Sequence, residues 1–384
     1  MTASRDRFVE GVLQGNNRSV GASLLRGALT PFSWLHQIGL EAYLLPYKTG
    51  IRKRFRLVGA NGEPVPAIAI GNLSSGGTGK TPMAHLVAGY LSRAGYRVTL
   101  LSRGHGGSGE SGRTPRIVSD GERVLMTPET AGDEPVLLAK FLPSVPVIVG
   151  RDRRESGRLA VSTFAPDVIV LDDALQYWQI HRDLDIVLLD ARRPFDNGFV
   201  LPRGLLREPP SHLKRAGAVV LTRADRVPAD LLARNVEQAQ RLAPAAAVFT
   251  ATHAPVGWVR ASDEALLPLG ALSQQDAVAF SGIADGRAFA QSVLSLGVLI
   301  TATHDFGDHH VYTNKDIASL GLSKSAKIVV TTEKDLVKVA PLWPPEGPEL
   351  YALRIGMVLR NEARFFARLD TILTREKSLK CPNQ

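Results

Sequence analysis

The sequence of 384 residues contains a single cysteine, Cys381, near its C-terminal end. One cysteine excludes an intrachain disulfide framework and a metal site built from cysteine pairs. We therefore expect a protein of a reducing compartment whose core is stabilised by packing. The composition, 44% hydrophobic and 22% charged, is that of a globular protein and excludes disorder for most of the chain.

The sequence also lacks an uninterrupted apolar run long enough to span a membrane, which needs about 18–20 residues. Its most apolar early stretch, residues 24–47, is interrupted by five charged, polar or proline residues: Arg26, Pro31, His36, Glu41 and Pro46. Between the two prolines the pattern predicts a helix with one polar stripe. That stripe consists of Ser33, His36, Gln37 and Glu41.

Acidic residues are scarce at the N-terminal end. Residues 1–56 hold three acidic and nine basic side chains, so they carry most of the net charge of +9. An amphipathic helix followed by a basic cluster is typical of an anchor on an anionic membrane surface. The same pattern also suits a helix packed on the protein's own core with a solvated basic loop after it. A nucleic-acid-binding function would rest on the net charge alone.

A glycine-rich loop follows the first strongly apolar run. Its residues are Ser74, Ser75, Gly76, Gly77, Thr78, Gly79, Lys80 and Thr81. In a strand–loop–helix context it predicts a P-loop, in which backbone N–H groups face phosphate oxygens, Lys80 reaches the β- and γ-phosphates and Thr81 ligates Mg²⁺. Ser74 stands at the first glycine position of the general pattern, so Gly76 and Gly77 must supply the permissive backbone.

Paired carboxylates end a second apolar run. Asp172 and Asp173 follow residues 168–171, the pattern of a Walker B element that carries Mg²⁺. Asp190 ends another apolar run and is a rival on the same pattern. Two solvated turn aspartates remain the alternative interpretation of the pair.

From residue 65 onwards short β-branched runs alternate with helical patterns. The alternation predicts an α/β fold of the P-loop NTPase type: a doubly wound, mostly parallel sheet with a second, smaller α/β domain and an N-terminal membrane-associating helix. We expect an N-terminal segment at 1–56, a P-loop domain at 57–251 and a smaller domain at 252–384, whose last helix can pack back on the first domain. Residues 252–275 are turn-rich and resemble a boundary or an insertion.

Two other nucleotide-binding patterns are weaker matches. Deviant Walker ATPases carry a lysine where this loop has Ser75, which disfavours a membrane-targeted regulatory ATPase without excluding it. Residues 222–225 partly match the Asn-Lys-x-Asp motif with which GTPases bind guanine, but Thr222 stands in place of its asparagine. We interpret that segment as a turn at a strand end.

Eight motifs in order resemble the tetraacyldisaccharide 4′-kinases of lipid A biosynthesis, over about nine tenths of the chain. They are Gly71-Asn72-Leu73 with the P-loop, Ser102-Arg103-Gly104, Gly132-Asp133-Glu134-Pro135, Gly150-Arg151-Asp152-Arg153, Asp172-Asp173 with Arg182-Asp183, Arg193-Pro194-Phe195 with Leu206-Arg207-Glu208-Pro209, Asp308-His309-His310 and Thr332-Glu333-Lys334-Asp335.

The resemblance implies an ATP-dependent kinase that phosphorylates the 4′-hydroxyl of a tetraacyldisaccharide 1-phosphate lipid to give lipid IVA. It implies a peripheral position at the cytoplasmic face of the bacterial inner membrane, and it favours the membrane anchor over the packed helix. By resemblance Asp133 is the catalytic base and His309 its partner. Without the resemblance we would interpret Asp133 as the cap of a helix N-terminus and His309 as a surface histidine.

The resemblance also implies that Glu208 joins the two aspartates around Mg²⁺, with a loop carboxylate as the alternative. Arg103, Arg151 and Arg153 are candidates for binding nucleotide or lipid phosphates, since a planar guanidinium suits bidentate contact. An ordinary surface arginine is the alternative for each of the three. Two positions depart from the family pattern: Ala174, where glycine is usual, and His105, where tyrosine is common.

Overall fold

The computed structural model describes residues 19–104, 114–283, 285–307, 310–320 and 328–378, together with Gly11, Leu13 and Asn17. Side chains are described as far as Leu373. The predictions for His105, His309 and Cys381 concern positions outside these residues.

The described strands form one continuous sheet. They are β1 (Ala67–Asn72), β2 (Val98–Ser102), β3 (Arg116–Ser119), β4 (Val147–Val149), β5 (Val168–Leu171), β6 (Leu184–Asp190), β7 (Ala218–Thr222), β8 (Ala247–Arg260), β9 (Leu266–Leu267), β10 (Asp276–Ser281), β11 (Leu299–Asp305), β12 (Ile328–Thr332) and β13 (Glu349–Arg360). Their order is β11-β10-β12-β13-β8-β7-β6-β1-β5-β2-β4-β3, with β9 paired to β8. The strands pair in parallel except for β3 with β4, β8 with β9 and β8 with β13. The predicted mostly parallel α/β sheet is confirmed.

Helices connect and flank these strands. They are α1 (Val20–Lys48), α2 (Lys80–Arg93), α3 (Pro128–Ala131), α4 (Asp133–Phe141), α5 (Arg153–Phe164), α6 (Ala229–Leu242), α7 (Gly286–Ser295), α8 (Asn314–Ser319), α9 (Glu333–Val339) and α10 (Glu362–Ser378). Strand β1 is fully buried, as its run of apolar residues requires between two helical layers. Tyr90 of α2 stacks on Phe366 of α10 with ring centroids 3.8 Å apart, so the last helix packs beside the helix that follows the P-loop.

The long strand β8 differs most from the sequence expectation. Residues 252–260, which we expected to be turn-rich, continue β8 because they pair antiparallel with β13 along most of its length. The pairing joins strands β10 to β13, which match the predicted smaller domain, to the sheet that carries the P-loop. The division at residue 252 into two domains stays a prediction.

Helix α1 turns Ser33 and Glu41 of its polar stripe towards the protein, whereas His36 of the stripe is exposed. Leu44 and Tyr47 near its C-terminal end are buried, and a set of other apolar side chains faces outwards. Ser33 is buried and donates a hydrogen bond of 2.7 Å to the carbonyl of Val200. Glu41 of the same stripe contacts His212 at 2.6 Å. The outward-facing apolar side chains are Leu24, Phe32, Trp34, Leu35, Ile38 and Leu45, of which Trp34 is 58% exposed. None of the helices that the structure describes is long and apolar enough to cross a membrane.

Candidate active site

The loop between β1 and α2 has the backbone that phosphate binding requires. Gly79 caps α2 with φ +89°, a left-handed conformation that favours glycine. A Cβ at Gly79 would collide with the imidazole of His253 on β8. Burial lowers the pKa of His253 to about 4, so a neutral ring packs against the loop.

Three side chains hold the carbonyl groups of this loop. Asn72 donates to the carbonyl of Gly76 at 3.0 Å, and Thr222 donates to the carbonyl of Thr78 at 3.0 Å. Arg223 donates to the carbonyl of Gly77 at 2.6 Å. The segment that faintly resembled a guanine-reading motif therefore fixes the shape of the P-loop.

The paired aspartates lie at the carboxyl end of β5. Asp172 is 1% exposed, and its Oδ1 atom has no hydrogen-bond partner among the described residues. Burial, followed by the charges of Glu134 and Asp173, raises the pKa of Asp172 to about 7. A buried carboxylate oxygen without a partner is costly unless a cation or a proton satisfies it. This geometry fits a cation site. Because Asp172 is buried, the alternative in which it is a solvated turn residue is wrong.

Asp173 connects the aspartate pair to the P-loop lysine. Its φ of +44° is in the left-handed region, so the strain is held at Asp173 and not at the following Ala174. The departure from glycine at Ala174 is accommodated because that residue is not among those with positive φ. Lys80 Nζ lies 3.9 Å from Asp173 Oδ2.

Arg207 is a site residue that the sequence analysis did not single out. It donates to Asp173 at 3.2 Å, to Asn72 Oδ1 at 2.7 Å and to the carbonyl of Ser74 at 3.2 Å. One side chain thus contacts the metal-site candidate, the end of β1 and the P-loop. Its only sequence signal was its place directly before Glu208 in a motif known from the resemblance.

Glu208 is engaged elsewhere. Its carboxylate is 1% exposed and contacts Arg215 at 2.7 and 2.8 Å and His212 Nδ1 at 2.7 Å. His212 in turn reaches Glu41 of α1. Although burial opposes it, these partners lower the pKa of Glu208 to about 2. The predicted role of Glu208 beside Asp172 is not supported, because both of its oxygens serve an ion-pair cluster under the N-terminal helix.

The rival carboxylate Asp190 is also occupied. Arg192 contacts it at 2.7 Å and Arg223 at 2.5 Å, and these partners, against the effect of burial, hold its pKa below the ordinary value. Asp190 therefore anchors Arg223, which holds the P-loop, and the paired aspartates remain the better metal candidate.

The three candidate arginines occupy two kinds of environment. Arg103 and Arg151 are exposed. Arg153 is 3% exposed and donates to the carbonyl of Gly150 at 2.8 Å. Burial lowers the pKa of Arg153 to about 10, and the charges of Asp172 and Asp173 oppose this effect. Its buried charge therefore balances the aspartate pair.

Asp133 is the first residue of α4, directly after the N-cap Gly132. Its Oδ2 atom lies 2.8 Å from Lys338 Nζ of α9, and the neighbouring Glu134 lies 3.4 Å from Lys334. Lys338 also donates to the carbonyl of His310. Helix α9, which begins at the Glu333-Lys334-Asp335 motif, therefore links the carbonyl of His310 to the predicted base through Lys338. Ser102 at the end of β2 donates to Asp172 at 3.4 Å, and a Cβ at Gly104 would lie 3.0 Å from the carbonyl oxygen of Ala131, two residues before Asp133. The N-terminus of α4 therefore lies close to the strand ends that carry the aspartate pair.

The described residues contain no cluster of three or more histidine, cysteine, aspartate or glutamate side chains that could hold a metal ion by themselves. A Mg²⁺ site of a nucleotide-binding protein does not need one, since one or two carboxylates with phosphate oxygens and water suffice. The parallel sheet, the glycine-rich loop at a helix N-terminus and the adjacent aspartate pair define a P-loop nucleotide-binding protein.

Comparison with known proteins gives the family. Residues 25–374 match the family model for LpxK, tetraacyldisaccharide-1-P 4′-kinase. The chain is 40% identical over 342 residues to the tetraacyldisaccharide 4′-kinase of Geobacter metallireducens, covering 87% of this chain and 97% of that protein. It is 36% identical over 381 residues to that of Pelobacter propionicus, covering 98% and 100%. The chain belongs to the tetraacyldisaccharide 4′-kinase family, as its eight motifs predicted.

A solved structure agrees with this assignment. LpxK from Aquifex aeolicus, in complex with ATP, superposes with a TM-score of 0.73 at 30% identity. The match covers 91% of this chain and 99% of that chain. The family assignment favours a kinase over the regulatory ATPase that the sequence left open.

Proposed function

We propose that the protein transfers the γ-phosphate of ATP to the 4′-hydroxyl of tetraacyldisaccharide 1-phosphate, giving lipid IVA, ADP and a proton. The observation that carries the proposal is the proximity of the P-loop, the aspartate pair and the N-terminus of α4. The relatives of the chain are tetraacyldisaccharide 4′-kinases by name. ATP is the nucleotide bound to the Aquifex relative.

Residues Ser74 to Thr81 would hold the phosphates of ATP. The loop presents a helix N-terminus to the anion, and Lys80 supplies a positive charge beside the transferred group. Exposed Arg103 and Arg151 are proposed to contact nucleotide or lipid phosphates. Buried Arg153 is proposed to balance the charge of the aspartate pair and not to contact a ligand.

The residues present fit Mg²⁺. Thr81, Asp172 and Asp173 offer hard oxygen ligands. Among the described residues Asp172 Oδ1 has no hydrogen-bond partner, and a bound cation would satisfy it. When bound, Mg²⁺ neutralises charge on the phosphate oxygens. Glu208 is left out of this set.

Asp133 is proposed to accept the proton of the 4′-hydroxyl. A carboxylate can orient a sugar hydroxyl and take its proton late in a loose phosphoryl-transfer transition state. Lys338, whose Nζ lies 2.8 Å from Asp133 Oδ2, positions the carboxylate. His309 remains its proposed partner by resemblance.

The decisive test is an acceptor-dependent kinase assay. Purified protein with labelled ATP, Mg²⁺ and the disaccharide lipid should give labelled lipid in proportion to acceptor. A regulatory ATPase would instead release phosphate on anionic vesicles without labelling any lipid, and that result would contradict the proposal.

We further propose a peripheral position on the cytoplasmic face of the inner membrane, with α1 lying in the interface. Ser33 and Glu41 of α1 contact the body, and apolar side chains such as Trp34 and Ile38 face outwards, where lipid would cover them. The adjoining basic residues suit an anionic surface.

Replacing Trp34 and Ile38 by serine is expected to weaken binding to anionic vesicles by about 10- to 100-fold, because two large side chains lose their transfer into lipid. Vesicle sedimentation measures the change. Leu294→Ser on α7 with Leu299→Ser on β11 removes two exposed apolar side chains outside α1 and should leave vesicle binding unchanged. Equal binding of wild type and the Trp34/Ile38 variant would contradict the anchor.

A further inference from the structure

A basic cavity lies where α1 meets the body of the protein. It has a volume of about 370 Å³, within the range of ligand pockets. Its lining residues are Tyr47, Arg52, Lys53, Arg54, Phe55, Arg56, Arg154 and Gln179. Five of these eight side chains are cationic, and no carboxylate lines the cavity among the described residues.

The nearest carboxylates compensate only part of this charge. Asp152 binds Arg154 at 2.6 Å, and Asp183 lies 3.4 Å from Arg56. No carboxylate of the described chain lies within salt-bridge distance of the other three cations, Arg52, Lys53 and Arg54. Arg52 instead lies 5.1 Å over the ring of Tyr47, and Arg54 lies 4.8 Å over that of Trp178. The aromatic contacts hold two guanidinium groups in place and leave their charge available to an anion.

Tyr47 is a buried residue of the wall and is 6% exposed. Burial and the neighbouring hydroxyl of Tyr43 raise the pKa of Tyr47, so its phenol stays protonated. It adds a neutral polar group to the cationic side chains of the wall. The backbone of the wall is fixed, because Phe55 exchanges hydrogen bonds with Gln179 and His181 at 2.7 Å.

We infer that this cavity binds the phosphate group of a membrane lipid. Guanidinium groups, an ammonium group and a phenolic hydroxyl are suited to phosphate oxygens. The cavity adjoins the C-terminal end of α1, so a lipid held in the proposed interface would present its phosphate there. The inference rests on the proposed membrane position and adds a defined headgroup site to it. The phosphate belongs either to a bulk acidic phospholipid or to the acceptor itself.

The test compares the full-length wild type with Arg52→Gln/Lys53→Gln. Both side chains are exposed and outside salt bridges to described carboxylates, so the fold should tolerate the change, which thermal unfolding checks. Arg234→Gln/Arg241→Gln on α6 removes the same charge and only two exposed helical ion pairs, so it is the matched control. If the first variant unfolds, Lys53→Gln alone replaces it.

In the first arm, vesicles contain phosphatidic acid or phosphatidylglycerol at equal surface potential. Diffuse attraction depends on that potential, whereas a headgroup site distinguishes a phosphate monoester from a diester. In the second arm, kinase rates in neutral detergent micelles are measured with the acceptor and with an acceptor lacking its 1-phosphate.

A bulk-lipid site predicts that wild type prefers phosphatidic acid and that the cavity variant loses this preference about tenfold. An acceptor site predicts a roughly tenfold higher KM for the phosphorylated acceptor alone, with kcat unchanged. Either result supports the cavity. Parallel losses on both vesicles with unchanged KM, or no loss in either arm, overturn it. If the wild type shows no kinase activity, the proposed function is contradicted. The vesicle arm then still tests whether the cavity binds a lipid phosphate.

Discussion

Replacing Asp133 by asparagine is expected to lower kcat by about two to four orders of magnitude, the usual contribution of a general base. The amide keeps the size of the side chain but cannot accept the proton of the 4′-hydroxyl. The KM for ATP should change little, because Asp133 lies on α4 and outside the P-loop. Steady-state rates at saturating ATP and acceptor measure the loss.

The matched control is Lys338→Met. Asp133→Asn also breaks the ion pair with Lys338, so a loss of activity could come from a displaced helix α9. Lys338→Met breaks the same pair and keeps the carboxylate, and we expect it to lower kcat far less. Equal losses in the two variants would assign Asp133 a structural role, and normal turnover of Asp133→Asn would exclude it as the base.

Replacing Asp172 by asparagine is expected to lower kcat by about 10²- to 10³-fold and to stabilise the fold. Activity falls because a charged Mg²⁺ ligand is lost. Stability rises by about 1–3 kcal/mol without Mg²⁺ at pH 8, because a buried charge that neighbouring carboxylates repel is removed. Chemical unfolding in EDTA measures the gain.

The pH dependence of that gain follows from the direction of the shift. The pKa of folded Asp172, about 7, lies above its ordinary value of 3.8. Ionised Asp172 therefore destabilises the native state above pH 7, and the cost disappears as the pH falls from 7 towards 4 and the group protonates. The stability difference between Asp172→Asn and wild type should shrink over the same range.

Asp185→Asn provides the contrast for this prediction. Burial raises the pKa of Asp185 too, but its carboxylate lies 2.8 Å from the buried Arg182. The asparagine would leave the guanidinium without its counter-charge, so we expect a loss of about 3–5 kcal/mol. If both asparagine variants were destabilised alike, burial of the Asp172 charge beside Glu134 and Asp173 would not be a net cost to the fold.

The sequence predicted the features that depend on local chemistry. The strand before Ser74, the loop itself and helix α2 follow from apolar periodicity, glycine content and a lysine at fixed spacing, and Asp172 follows from its place after an apolar strand. Asp133 came from the resemblance, since a lone aspartate at a helix start carries no catalytic signal.

Contacts between distant segments were not predictable in this way. Arg207 reaches Asp173 because a long connection returns beside the P-loop, and no period in the sequence encodes that return. The resemblance implied a place for Glu208 beside the metal, and no motif at His212 or Arg215 indicated that these residues bind its carboxylate instead. The polar stripe of α1 was visible, but only tertiary packing shows that Ser33 and Glu41 face inwards.

The antiparallel pair of β8 and β13 has a consequence for synthesis of the chain. Strand β8 ends at Arg260, whereas its partner begins at Glu349, so roughly ninety residues must be translated before the ladder can close. At about 5–20 residues per second this takes between roughly five and twenty seconds. During that interval the backbone N–H and C=O groups on one side of a 14-residue strand stay unpaired and can template pairing with another nascent chain. Ribosome-bound chains stalled between these strands should therefore depend on chaperones more than the completed protein does.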